Sequence, residues 1–375
     1  MIRHKTFWFR TIGFGICLFV LPQIAKAEFS VGDTIITTQS TPIKAGTKTL
    51  ATMPAGSTLT VTAINGDWLG IQFGKNGQPQ NGWISARHAR AVTAQDKKSL
   101  ASLEQAIHFI EQKDYDNAIL KLNTVIQNIP HNRIAYTYRG LIYLTKENYD
   151  QAIADCSKAI QLDPKLSNAY IIRSNAYYKK GDYDQAITDC TKAIKLDPNF
   201  AIAYQKRSEC YYQKGDDKQA MSDAQKAIQL DPQKAVEAYD ISGCVYSNKG
   251  NYDQAINNYS KAIELDPKYA EAYMNRGRAY LKNGDQDKAI RDCTKTIELK
   301  PELLEAHLIR IYARLDNGKV YLAFMDCHET ILQNPKCAEA YQARGILYKL
   351  SKNTEKAEKD FAKAKELGYQ DTSTK

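Results

Sequence analysis

The chain has 375 residues, of which 43% are hydrophobic and 25% are charged, values typical of folded protein. This composition excludes a disordered chain, a collagen-like chain and a protein with several membrane spans. The net charge of +9 includes four basic residues in the first 27 positions, which hold no acidic residue. Because the surplus over the rest of the chain is small, nucleic-acid binding is not expected.

The first 27 residues have the order of a secretory signal peptide. Arg3, Lys5 and Arg10 surround the start of an apolar run over residues 11–24, and Ala25-Lys26-Ala27 offers small residues for cleavage. The run is too short to span a bilayer comfortably. We therefore expect export to the periplasm or the medium, with no membrane span after cleavage. The alternative is an uncleaved signal that anchors the protein in the membrane.

Residues 28–93 are rich in Thr, Gly, Val and Ile and predict a small β domain. Strands are predicted over residues 34–37, 58–62, 68–73 and 82–84, with turn signals over 54–56, 65–66, 74–77 and 81–82. Several short strands in so few residues favour a closed barrel, because closure removes exposed strand edges.

The order Gly56-x-x-Leu59, Trp68 and Gly82-Trp83-Ile84 resembles a bacterial SH3-like domain. That resemblance implies a domain that docks cell-wall peptides or other proteins. Trp68 and Trp83 are the candidate ligand-binding residues. The competing interpretation is that both tryptophans pack the interior of the barrel.

Prolines mark a repeat over the rest of the chain. They recur at intervals of 34 residues, except for one interval of 35 near Ala235: Pro130, Pro164, Pro198, Pro232, Pro267, Pro301 and Pro335. Two helical patterns fill each interval, as in tetratricopeptide repeats. One unit shows the family's order of aromatic, small, Tyr, Ala and Pro residues at Tyr170, Ser174, Tyr177, Ala186 and Pro198. The chain thus resembles the tetratricopeptide-repeat (TPR) family, and the expected fold is mainly α, an α-solenoid of about eight helix pairs.

The repeated positions have a physical explanation. Small residues such as Gly140 and Ala152 let two helices approach closely, and tyrosines fill the space between them. Gly181 and its equivalents lie between paired helices, where a positive φ is useful. Asp or Asn follows as a cap of the second helix, as at Asp182. The seventh unit departs from the pattern, with His307 and Arg314 where most units have Tyr.

The resemblance implies a concave surface, lined by the first helix of each pair, that holds peptides or proteins. The candidate partner-binding residues on it are Asn175, Tyr178, Gln205, Glu209, Tyr212, Met274, Arg278 and Tyr312. Each of them is alternatively a packing residue. The Lys and Asn set with which some family members clamp a terminal carboxylate is not present, because Ile171 precedes Asn175 and Glu305 replaces Lys.

The remaining chemistry-bearing residues form no catalytic motif. Cys156, Cys190, Cys293 and Cys327 recur at one position of the second helix and are expected to be small buried hydrophobes. The redox state of Cys210, Cys244 and Cys337 is left open, since a disulfide needs two of them close together. No metal site, cofactor or enzymatic activity is expected.

The sequence therefore predicts five segments. They are a signal peptide (1–27), an SH3-like β-barrel (28–93), a linker (94–98), eight repeats (99–132, 133–166, 167–200, 201–234, 236–269, 270–303, 304–337 and 338–369) and a tail (370–375). The leading hypothesis is an exported, non-enzymatic adaptor that binds protein or peptide partners through the concave surface. The alternative is binding of peptidoglycan by the SH3-like domain, with the repeats as a spacer or an oligomerisation module.

Overall fold

A computed structural model describes residues 34–37, 41–45, 48–53, 58–65, 68–75, 78–85, 89–91 and 93–369. The predicted signal peptide and most of the predicted turns of the β domain lie outside these residues. The chain divides into two compact units, one up to residue 198 and one from residue 199. None of the described helices is long and apolar enough to cross a bilayer.

The first unit begins with a seven-stranded antiparallel sheet of order β3-β2-β6-β5-β4-β1-β7. Its strands are β1 Thr34–Thr37, β2 Thr41–Ala45, β3 Lys48–Met53, β4 Thr58–Asn65, β5 Trp68–Lys75, β6 Gln78–Ser85 and β7 Ala89–Ala91. The four strands predicted from the sequence are confirmed as β1, β4, β5 and β6. The turn predicted at residues 81–82 is wrong, because Asn81 and Gly82 lie inside β6 and pair with Gln72 and Ile71 of β5. The prediction omits β2, β3 and β7, because Pro42 interrupts one and another has only three residues.

The core of the sheet is a cluster of aliphatic side chains with β5 and β6 at its centre. Leu69 and Ile71 of β5 pack with Ile84 of β6 and Ile43 of β2, and each is at most 1% exposed. Leu69 pairs with Ile84 in the ladder of these two strands. In the described residues β3 and β7 are the two end strands of the sheet and do not pair with each other. The closed SH3-like barrel therefore remains a prediction.

Residues 94–98 form the start of a helix rather than a linker. Thr93 caps that helix: its hydroxyl accepts from the Asp96 backbone N–H, and its own N–H donates to the Asp96 carboxylate at 2.8 Å. This capping box satisfies two backbone donors that otherwise lack partners. The first helix therefore begins immediately after the cap, at Ala94.

Residues 93–369 fold into eight helical hairpins. The first helices are α1 Ala94–Glu111, α3 Arg133–Thr145, α5 Ser167–Lys179, α7 Ala201–Gln213, α9 Val236–Asn248, α11 Ala270–Lys282, α13 Leu304–Asp316 and α15 Ala338–Leu350. The second helices are α2 Tyr115–Asn128, α4 Tyr149–Leu162, α6 Tyr183–Leu196, α8 Asp217–Leu230, α10 Tyr252–Leu265, α12 Gln286–Leu299, α14 Val320–Gln333 and α16 Thr354–Glu366. The predicted helix pairs are confirmed, and α1–α6 lie in the first unit.

Each hairpin turns through a left-handed residue, and an Asp or Asn side chain caps the second helix in six of the eight hairpins. In hairpins three to seven that residue is glycine, as at Gly181 with φ +80°, which confirms the prediction for these glycines. Asp182 then caps α6 by accepting from the Gln185 N–H. The other three hairpins place Lys113, Glu147 and Lys352 at positive φ.

Small residues bring the two helices of a hairpin together. A Cβ on Gly277 would lie 2.9 Å from the Cys293 sulfur, and one on Gly243 would lie 2.5 Å from the Tyr259 ring. Both distances are shorter than side chains tolerate, so the close approach requires glycine. Cys156, Cys190, Cys293 and Cys327 are fully buried, which confirms that they pack as hydrophobes.

An arginine–aspartate pair joins the two helices of six hairpins. In the sixth, Arg276 Nε donates to Asp292 Oδ2 at 2.7 Å and Nη2 donates to Oδ1 at 2.9 Å. The guanidinium also lies 5.6 and 5.8 Å from the rings of Tyr273 and Tyr280. The other five pairs are Arg139–Asp155, Arg173–Asp189, Arg207–Asp223, Arg310–Asp326 and Arg344–Asp360.

The seventh hairpin keeps the common packing despite its unusual residues. His307 is buried, and its Nε2 lies 2.9 Å from the Pro301 carbonyl oxygen, as the Tyr170 hydroxyl lies 3.4 Å from that of Pro164. Arg314, in a tyrosine position, pairs with Asp326 at 2.7 Å. The substitutions therefore replace one hydrogen-bonding group by another.

Candidate functional site

The first helices of the second unit form one continuous layer. α7 packs on α9, α9 on α11, α11 on α13 and α13 on α15. We call the following positions on these helices the inner stripe: Gln205, Glu209, Tyr212, Asp240, Cys244, Met274, Arg278, Leu308 and Tyr312. This layer is where the sequence places the concave binding surface.

The predicted stripe residues differ in accessibility. In the second unit, Gln205 and Met274 are 6% and 7% exposed. Glu209, Tyr212, Arg278 and Tyr312 are half-buried and reach the surface. In the first unit, Asn175 and Tyr178 are half-buried, and the Tyr178 ring contacts that of Tyr183 at a tilt of 57°, with 5.5 Å between the ring centres.

Charged side chains bridge neighbouring hairpins along the stripe. Gln205 Nε2 donates to Glu237 Oε2 at 2.8 Å, so α7 is joined to α9. Arg278 pairs with Glu305, which joins α11 to α13. Lys206 bonds Glu209 at 2.9 Å on α7 itself. The stripe thus presents fixed acidic and basic groups, which suit recognition of polar peptide groups.

A buried carboxylate lies at the centre of the stripe. Asp240 is 6% exposed, accepts from Asn275 Nδ2 at 3.0 Å and lies 3.4 Å from the Tyr269 hydroxyl. Burial raises the pKa of Asp240 to about 6, and the negative charges of Glu271 and Glu209 act in the same direction. Asp240 is not among the residues predicted from the sequence, although it occupies the position of Gln205 in the next repeat. The sequence signal for this equivalence is the 35-residue interval between Pro232 and Pro267, which shifts the repeat register by one residue.

Cys244 lies one helical turn from Asp240 and belongs to the same polar cluster. The Tyr259 hydroxyl lies 3.5 Å from its sulfur, and Asn275 Nδ2 lies 3.7 Å from it. Burial raises the pKa of Cys244 to about 12 and that of Tyr212 also to about 12. These groups are therefore neutral at physiological pH. No disulfide joins any two of the seven cysteines in the described part of the chain.

The two candidate residues of the sheet lie on adjacent strands. Trp68 begins β5 and is 39% exposed, with Lys44 Nζ 5.7 Å from the centre of its ring. Trp83 of β6 is half-buried and pairs with Gly70 in the ladder. Trp68 thus offers a partly accessible aromatic surface, whereas Trp83 contributes more to packing.

No triad of His, Cys, Asp or Glu within the described ranges has a geometry that could hold a metal ion. A shallow cavity of about 470 Å³ lies against α13 and the end of α14. Its lining includes Glu302, Leu304, His307 and Gln333. This cavity lies outside the inner stripe, and its one histidine ring is already held by the Pro301 carbonyl.

Comparison with solved structures supports the fold. The Cut9–Hcn1 hetero-tetramer of the APC/C matches with a TM-score of 0.57 and 22% identity, over 66% of this chain and 52% of that chain. This protein thus spans about half the length of that chain. PilF of Pseudomonas aeruginosa matches with a TM-score of 0.50 and 18% identity, over 56% and 94% of the two chains. No curated protein sequence matched the chain.

Family models match most of the hairpins. The tetratricopeptide repeat models match residues 134–166, 168–200, 201–234, 270–303 and 338–367, and a model described as TPR repeat matches residues 243–284. Together these ranges cover just over half of the chain. Together with the helical hairpins and their shared small-residue packing, they establish that the chain belongs to the tetratricopeptide-repeat family.

Proposed function

We propose that this protein is a non-enzymatic adaptor that binds protein or peptide partners through the inner stripe. The observation that carries the proposal is the set of half-buried aromatic and charged side chains, including Tyr212, Arg278 and Tyr312, on one layer of packed first helices. Large side chains already held by packing lose little conformational freedom on binding, so they suit a recognition surface.

A peptide-display selection on the full chain tests this proposal. Twelve-residue random peptides enriched on the wild type should lose binding to Tyr212→Ala/Arg278→Ala by about tenfold or more. The matched control is Lys218→Ala/Arg291→Ala, which removes exposed side chains from the second helices α8 and α12. Equal binding to both variants, or loss in the control alone, contradicts the inner stripe as the binding surface.

The proposal includes export, on the strength of the basic, apolar and small-residue order of residues 1–27. Expression in the native host, followed by cell fractionation and N-terminal sequencing, tests it. A mature chain that begins at Glu28 outside the cytoplasm supports export. A cytoplasmic chain that begins at Met1 contradicts it.

The exposed face of Trp68 favours a second candidate function, binding of peptidoglycan by the sheet domain. An aromatic surface of this kind stacks on sugar and peptide groups of a ligand. Co-sedimentation of the full chain with purified peptidoglycan tests it, with Trp68→Ala as the variant and Trp83→Phe as a packing control. Sedimentation that is absent, or that persists in Trp68→Ala, contradicts this candidate.

A further inference from the structure

The fifth hairpin lacks the arginine–aspartate pair of its neighbours. Arg207 of α7 and Arg276 of α11 stand at the seventh position of their helices, where α9 has Ser242. Their partners Asp223 and Asp292 are replaced in α10 by Asn258. A guanidinium and its carboxylate are thus both missing from one hairpin in the interior of a regular series.

The surroundings of that guanidinium are retained. Tyr239 and Tyr246 occupy the positions of Tyr273 and Tyr280, whose rings contact the guanidinium of Arg276. We call the set of positions Ser242, Tyr239, Tyr246, Asn258 and Gln225, which are equivalent to the surroundings of Arg276, the arginine slot of the fifth hairpin. Gln225 takes the position of Ser260, whose hydroxyl accepts from Arg276 Nη1 at 2.9 Å.

The floor of this slot contains an unsatisfied polar group. Ser242 is 2% exposed, and its hydroxyl has no hydrogen-bond partner. A buried hydroxyl without a partner costs free energy, typically about 1–3 kcal/mol. A bound donor group would satisfy this hydroxyl.

The equivalent of this slot borders solvent in the six paired hairpins. The side chains of the resident arginines, at Arg139, Arg173, Arg207, Arg276, Arg310 and Arg344, are 10–19% exposed, so the guanidinium end of each slot borders water. The slot is separate from the inner stripe, because Asp240 and Cys244 are each two residues from Ser242 and hence about 200° around the helix.

We propose that the arginine slot of the fifth hairpin binds the guanidinium of an arginine side chain from a protein partner. Two tyrosine rings attract the planar cation, and the amide oxygens of Asn258 and Gln225 accept its N–H groups. The neutral acceptors explain how the slot remains stable when empty, since a buried unpaired aspartate would be costly there. The nearby cation Lys261 is paired with Glu264 at 2.7 Å, which reduces its repulsion of the ligand.

The test uses the full chain and N-acetyl-arginine amide, with N-acetyl-lysine amide as the matched probe. Saturation-transfer NMR should detect contact with the arginine probe and give a dissociation constant at least about tenfold lower than for the lysine probe. Ser242→Arg/Asn258→Asp, which restores the neighbours' residues, should raise the thermal unfolding midpoint and weaken arginine binding by about tenfold or more.

A second variant keeps the proposal testable if Ser242→Arg/Asn258→Asp does not fold. Tyr246→Leu keeps an apolar side chain of similar bulk but removes one ring, so arginine binding should weaken about threefold, with helicity by circular dichroism unchanged. The proposal is overturned if the wild type shows no saturable arginine signal, if the lysine probe binds equally well, or if the signal survives in Ser242→Arg/Asn258→Asp. Because the slot is not part of the inner stripe, loss of peptide binding in Tyr212→Ala/Arg278→Ala leaves this result unaffected.

Discussion

Asp240 shows how one residue makes the stability of the second unit depend on pH. Its pKa is raised from the ordinary value of 3.8 to about 6 in the folded protein, chiefly because it is buried and also because other carboxylates lie near it. A folded-state pKa above the unfolded value means that ionisation disfavours the folded state. The contribution of Asp240 to stability is therefore most favourable below pH 4 and is lost as the pH rises from about 4 to about 6.

Asp240→Asn is thus expected to increase the free energy of unfolding at pH 7.5 by about 1–3 kcal/mol and to have little effect at pH 4. The amide keeps an oxygen that accepts from Asn275, so the hydrogen-bond network survives. Urea unfolding at both pH values measures the difference between variant and wild type. The control is Asp253→Asn on the exposed surface of α10. A stabilisation that is the same at both pH values contradicts the assignment.

The arginine–aspartate pairs make a related prediction at a second residue. Arg276→Ser leaves Asp292, which is 7% exposed, without its cation, and we expect a loss of about 3 kcal/mol. Arg276→Ser/Asp292→Asn reproduces the residues of the fifth hairpin and removes the uncompensated charge, so it should be more stable than Arg276→Ser by about 1 kcal/mol or more. Urea unfolding of both variants measures this, and a double variant that is less stable than the single one contradicts it.

At the scale of the element, the hairpin turns allow the effect of residue type on stability to be compared at one fixed backbone conformation. Glu147 has φ +60°, in a turn position that five other hairpins fill with glycine. A side chain in this region costs roughly 1–2 kcal/mol, whereas glycine gains entropy in the unfolded chain. The cost of a side chain at positive φ is the larger of these two effects here, because the Glu147 side chain is exposed and contributes little packing.

Glu147→Gly should therefore raise the free energy of unfolding by about 0.5–1 kcal/mol, as measured by urea unfolding. The reverse change, Gly181→Glu in the next hairpin, should lower it by about 1 kcal/mol, since Gly181 has φ +80°. The two hairpins are matched in helix length, so each serves as the control for the other. Destabilisation by Glu147→Gly would show that the exposed side chain has a role in the turn.

At the scale of the whole molecule, the features predicted correctly from the sequence are those that several repeats specify independently. Eight copies of one pattern specify the same hairpin, so errors at single positions such as His307 do not obscure the fold. Six of the nine positions of the inner stripe were named from the sequence, but their pairs were not predicted, because Arg278–Glu305 and Gln205–Glu237 join different repeats. Ser242 and Asp240 were missed for a related reason. Their meaning appears only when a position is compared across hairpins with the 35-residue interval included.

The start of α1 was missed because its cap lies in the junction between the sheet and the repeats. Residues 94–98 are polar and lack the apolar periodicity that identifies a helix, so they suggested a linker. Thr93 and Asp96 instead form a capping box, a pattern that depends on a spacing of three residues. Local capping chemistry therefore set this boundary, where periodicity gave no signal.

Comparison across all hairpins also exposes an unusual outer surface on α14. Tyr321, Leu322 and Met325 are 74%, 43% and 49% exposed. The equivalent residues of α6 are Asp184, Gln185 and Thr188, and the outward positions of α4, α8, α10 and α12 are filled mainly by polar or charged residues. Because these three side chains remain largely in water, they add little hydrophobic stabilisation to the fold.

Tyr321→Asp/Leu322→Gln/Met325→Thr gives α14 the outward residues of α6. The free energy of unfolding should change by no more than about 0.5 kcal/mol, because exposed side chains away from caps and pairs contribute little. Binding of an apolar-surface dye to the native protein should fall, since an apolar stripe is replaced by polar groups. The control is Ala323→Asp on the same helix, whose fully buried side chain should make it strongly destabilising. A triple variant as unstable as that control would mean that the stripe is packed rather than exposed.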